Sequence, residues 1–190
     1  MRHLLLPAQV WWDAQRFDQP LWQVAAWHDQ KVRHIHLHVA KALGKVVALL
    51  DAEATSASGS HLKARVRDEV IPDVAIYRSQ LINLLPDGTA LPSSLSHCRT
   101  SLLEDEPLWE VVLRLSRASA KLAAYLEPRE HGESSPASLL SEAIESLHGS
   151  AVVLATAFGV DLPGVHRARL EALLGVSLPA SLVQHDETHR

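Results

Sequence analysis

Cysteine is nearly absent from this chain. Cys98 is the only one in 190 residues, which excludes an internal disulfide and suits a cytoplasmic setting. Long apolar runs are missing too. No stretch approaches the ~20 residues of a membrane span, so no membrane partner is expected. The opening MRHLLLPAQVWWDAQ turns polar too soon for a secretion signal. β-strand alternation is scarce. No surplus of positive charge exists either: the net charge is −4, which argues against nucleic-acid binding driven by overall charge. Residues 1–90 hold ten Lys/Arg against nine Asp/Glu and residues 91–190 hold eight against thirteen, so the acidity lies in the second half. No serine sits in a Gly-x-Ser-x-Gly elbow, and Cys98, although beside His97, lacks an orienting context; a nucleophile triad finds no support.

What remains is helical. Hydrophobic residues make up 47% of the chain, enough for a soluble domain that buries about two thirds of its unfolded surface. Apolar residues recur at three- and four-residue steps. Leu21, Val24, Ala25 and Trp27 predict a helix over 20–32; Leu37, Ala40, Leu43, Val47 and Leu50 predict another over 34–54. A third is expected over 62–85, kinked or broken at Pro72 by the missing N–H and the clash of the ring with the preceding turn. Further helices are expected over 92–102, over 107–127, from Ser135 (N-cap) and Pro136 to 158, and after Asp161 as N-cap. The fold class is therefore all-α, a helical bundle. Four segments follow: 1–19 docking on the bundle, a helical unit over 20–90, a second, diverged unit over 91–178, and a tail over 179–190. PDGTALPSS is the best internal boundary.

The two units can be laid over each other. AKALGKVVALLDAE (40–53) matches SRASAKLAAYLEPR (116–129), pairing Lys41 with Arg117, Ala42 with Ala118, Lys45 with Lys121, Ala48 with Ala124 and Leu50 with Leu126. Tandem duplication and two unrelated amphipathic hairpins of shared period are both open readings.

Three motifs, in order, resemble the MazG-type all-α NTP pyrophosphatases. AAWHDQKV (25–32) is similar to the Trp-His-Asp opening before the first core helix. HVAKALGKVVALL (38–50) resembles the first metal-ligand helix, of pattern Glu-Glu-x-x-Glu. DEVIPDVAIYRSQLINLLPDG (68–88) is similar to the second, Glu-x-x-Asp-Val-x-Ile-Tyr. The resemblance implies a MazG-like bundle and a chemistry in which carboxylates of two helices hold Mg²⁺. The metal activates a water that attacks between the α and β phosphates, releasing NMP and pyrophosphate. It also implies assembly as a homodimer, or the tandem equivalent within one chain. Residue by residue, however, the first ligand trio falls on Lys41, Ala42 and Lys45, and the second pair on Val70 and Asp73. Glu69 stands one residue off register but shares a helix face with Asp73 if the helix is continuous. Ammonium groups have only donors and cannot ligate a metal.

The favoured expectation is a degenerate MazG-like protein, without a catalytic residue or cofactor, that binds a nucleotide or other phosphate ligand. It would act as a regulatory or scaffold protein. Lys41, Lys45, Arg117 and Lys121 are the candidate anion-binding residues. One alternative is an active Mg²⁺-dependent (d)NTP pyrophosphatase with ligands relocated to Glu69 and Asp73; a metal set from Asp51, Glu53, Asp68 and Glu69 matches no defensible spacing. The other is a helical protein- or DNA-interaction module using the tryptophans and HLKARVR (61–67), for which a solvated helix start is the simpler reading. His34 and His38 share a face at i, i+4 without the glutamate of a hydrolytic zinc helix. Trp11, Trp12, Trp22 and Trp27 are expected to pack onto the bundle rather than to stack bases.

Overall fold

A computed structural model describes residues 27–55, 59–85 and 107–174. The expectations for the N-terminal segment with Trp11, Trp12 and Trp22, for the packing of the Trp27 side chain, for the helix over 92–102, for the boundary at PDGTALPSS and for the tail lie outside what is described. Among the described residues every regular element is helical, as the periodicity predicts. The elements are α1 (Trp27–Ala54), α2 (Ser60–Arg65), a π-helical turn (Val66–Val70), α3 (Ile71–Leu84), α4 (Pro107–Glu130), α5 (Ser138–Phe158) and α6 (Leu162–Leu174). Among the described residues, no single helix is long and apolar enough to cross a membrane.

α1 corrects two expectations. The predicted break near residue 33 does not occur; one helix runs through it. The stripe that faces the core is Val32, Ile35, Val39, Ala42, Val46 and Leu49, whereas Leu37 is 64% exposed and Val47 45% exposed. α1 is apolar on more than one side, so two stripes satisfy the helical period and only packing chooses between them. Pro72 does not break its helix. The chain runs from α2 to α3 through the π turn, in which the Ile71 N–H bonds the Val66 carbonyl five residues back. That wider turn immediately precedes the residue that lacks an N–H, and it accommodates the ring without a break.

α5 begins at Ser138 and not at Pro136. Ser135 does not cap it; its hydroxyl donates to the Tyr125 carbonyl at 2.6 Å, tying the α4–α5 loop back onto α4. Gly159 ends α5 in the left-handed conformation that a side chain disfavours. Asp161 caps α6 as expected: its carboxylate accepts from the Gly164 N–H at 3.1 Å. A Cβ at Gly164 would stand 2.5 Å from that carboxylate oxygen, so a side chain there would push the capping carboxylate aside.

α1, α4, α5 and α3 form a closed ring, each packed on the next, and α6 lies outside against α3. α1 and α4 are antiparallel. Arg129 bonds Asp29, Arg33 bonds Glu130 and His36 bonds Ser119, all across that pair. A single core runs through all of them, from Ile35 and Leu49 to Leu81, Leu115, Leu122, Ile144 and Leu154. α6 adds Leu170 and the buried His166.

Candidate functional site

On α1, His34, His38, Lys41 and Lys45 follow steps of four, three and four residues and so share one face. On the following helix Glu69, Asp73, Ile76, Tyr77 and Gln80 do the same. The π turn does not disturb this, because Glu69 and Asp73 still point to one side. These two stripes, with Arg169 and Leu173 of α6, line a cavity of about 180 Å³. The structure thus brings Lys41, Lys45, Glu69 and Asp73 together.

Each carboxylate in the cavity is engaged by a cation. Lys45 is 14% exposed in its side chain and bonds Glu69 Oε2, which Arg65 also approaches at 3.7 Å. Arg169 donates from Nε to Asp73 Oδ1 at 2.9 Å. The hydrogen bond from Lys45 holds the Glu69 carboxyl below its ordinary range. The charges of Lys45, Arg65 and Arg169 add to the effect against a smaller opposing desolvation. Lys41, at the rim, is exposed and makes no ion pair among the described residues. Three cations therefore line the cavity against two carboxylates, leaving an excess of one positive charge. Rings build another part of the wall: the Tyr77 hydroxyl and His38 Nδ1 share a hydrogen bond at 2.8 Å, and the His34 and His38 ring centroids lie 4.4 Å apart. His36 points away, to Ser119 of α4.

A Mg²⁺ ion takes one or two carboxylates and keeps several waters; in this cavity it would have to displace Lys45 from Glu69 and Arg169 from Asp73. Among the described residues no group of three or more His, Cys, Asp or Glu is placed to hold a metal. The acids of the other candidate set are dispersed: Glu53 pairs with Lys63, Asp68 with Arg67, and Asp51 and Glu53 line a different cleft beside Trp109. The same pairs answer the basic stripe, since Lys63, Arg65 and Arg67 each already face a carboxylate.

Arg117 and Lys121 lie elsewhere. Neither lines the cavity; Lys121 pairs with Glu142 at 2.5 Å on the surface, and Arg117 is exposed. At the position aligned with Asp73 stands Gly149, and the space a side chain would take is filled by Arg114, whose guanidinium lies 2.3 Å from where a Cβ would be. Arg114 is held in turn by Glu110 one helical turn earlier, at 2.6 Å.

Arg169 escapes the sequence reading. Its only signal is its place one residue before the core residue Leu170, and nothing in the sequence shows that α6 docks on α3. Comparison of the chain with family models, with curated proteins and with solved structures finds no match.

Proposed function

We propose that this chain is a degenerate MazG-like bundle in which ion pairs have replaced the metal centre. On this reading it binds a phosphate-bearing anion in a regulatory or scaffold role in the cytoplasm, without Mg²⁺-dependent hydrolysis. The observation that carries the reading is the exchange of partners in the cavity. Lys45 and Arg169 each take a carboxylate oxygen that a metal would use, and Lys41 adds a cation with no acid opposite it among the described residues. A phosphate oxyanion is the complement of that surplus.

The core lends support to a tandem, pseudo-symmetric arrangement. At a constant offset of 76 residues, Val32, Ile35, Val39, Ala42, Val46 and Leu49 of α1 coincide with Leu108, Val111, Leu115, Ala118, Leu122 and Tyr125 of α4, and all twelve are buried. Lys45 and Lys121 each pair with a glutamate of the following helix. First helix also packs on first helix and second on second.

The test is activity. Purified protein with Mg²⁺ or Mn²⁺ and each NTP and dNTP is expected to release no pyrophosphate. Turnover that Asp73→Ala abolishes would establish the active pyrophosphatase instead.

A further inference from the structure

We propose that the cavity between α1, α3 and α6 is a site for a small phosphoryl-type anion, free phosphate or pyrophosphate, which it recognises by charge and shape and not by a nucleobase. This rests on the anion-binding reading above and narrows it to a ligand class.

Size is the first argument. The cavity holds about 180 Å³, below the roughly 300 Å³ at which pockets begin to enclose a drug-sized organic ligand. That volume suits one or two phosphoryl groups, and a base and sugar would have to lie outside it. The lining is the second. The cations reach the cavity from two helices: Lys41 and Lys45 stand one turn apart on α1, and Arg169 comes from α6. That is a cradle for a compact tetrahedral charge, with a guanidinium fork on one side and ammonium groups on the other. The third is the ring wall. His34, His38 and Tyr77 lie in a tilted cluster, with centroid separations of 4.4 Å and 5.1 Å between successive rings. Their planes are inclined by 57° and 37° to one another, so the three rings do not join into one flat platform.

Glu69 and Asp73 act as resident competitors. They hold Lys45 and Arg169 in place when no ligand is bound. An incoming anion shares those two cations with them and takes Lys41, which has no acid to give up among the described residues.

Calorimetry on the full chain, in EDTA and at low ionic strength, tests this with phosphate, pyrophosphate and ATP. Pyrophosphate is expected to bind, and ATP to bind no more than about threefold tighter, with no preference among the four NTPs. Lys41→Ala is expected to weaken pyrophosphate at least about tenfold, and Arg117→Ala to change it less than about twofold. Lys41 is exposed and outside the ion pairs, so the variant keeps its fold, which circular dichroism checks. ATP binding about tenfold tighter than pyrophosphate, or a preferred base, overturns the small-anion assignment and leaves anion binding standing. No binding by any of the three anions, or full affinity in Lys41→Ala, overturns the site. Hydrolysis of a nucleotide would instead remove the non-catalytic reading, so the two failures are distinct.

Discussion

Lys41 and Lys45 on α1 have counterparts in Arg117 and Lys121 on α4, with the same four-residue step and the same buried neighbours, Ala42 and Ala118. The two pairs end differently. Lys45 is 14% exposed and stands in a cavity, while Lys121 is 40% exposed and is paired on the surface. The helix carrying the cations does not make this difference. In the first half Asp73 projects into space that α6 roofs with Arg169. In the second half Gly149 projects nothing, and Arg114 of α4 itself occupies the space. The cations on α1 line a cavity because the neighbouring elements leave room over them and carboxylates face them there, and those on α4 do not.

Although the halves differ at this place, they share one core, and the largest expected effect follows from that. Leu115→Ala in α4 and Leu49→Ala in α1 should each cost about 2–5 kcal/mol. Denaturant unfolding should remain a single transition in both. Two separated transitions would make the halves independent and the comparison one between domains.

Acid should act next, and through α6. Burial, with a further push from the Arg78 charge, lowers the His166 pKa from its ordinary 6.5 to about 3. The unfolded chain takes up this proton below pH 6.5 and the folded chain does not until about pH 3. Stability is therefore full above pH 6.5 and falls by up to about 1.4 kcal/mol per unit as the pH drops through that window. His36, whose pKa burial also lowers, adds to the same range. Glu69 and Asp29 have lowered pKa values, so the stability their ionised forms lend is lost only at more acid pH. Pulse-labelling hydrogen exchange at pH 5 should show α6 loosening before α4, and His166→Leu should flatten the curve.

The two lysines give a smaller and sharper contrast. Lys45→Ala leaves Glu69 half-buried without its main partner and should cost about 1 kcal/mol. Lys121→Ala removes an exposed pair and should cost less than about 0.5 kcal/mol. Equal effects in thermal melts would erase the distinction between the two places. Smallest of all is Glu142→Gln, which frees Lys121 at the surface and should change pyrophosphate affinity less than about twofold.

Much of this was legible in the sequence, and the failures have physical causes. Helix positions followed from periodicity, and the Asp161 cap from its place before LPG. Lys41, Lys45, Glu69 and Asp73 could be grouped because each pair lies one turn apart on its own helix. The core face of α1 could not be chosen, since its Leu37–Val47 stripe is as apolar as the one that is buried. Ser135 read as a cap because the local pattern fits one; a carbonyl of the preceding helix, out of view in the sequence, takes its hydroxyl instead. Arg169 contributes through a tertiary contact 96 residues from Asp73, and no local signal announces such a contact.

The central claim is that Asp73 competes with the ligand for Arg169 and does not hold a metal. Pyrophosphate affinity of Asp73→Asn, measured by calorimetry without divalent ions, tests it most directly. The amide keeps the shape and removes the charge, so Arg169 is released to the anion and binding should tighten at least about threefold. Binding that is lost in Asp73→Asn, or that appears in the native chain only when Mg²⁺ is added, would contradict the account.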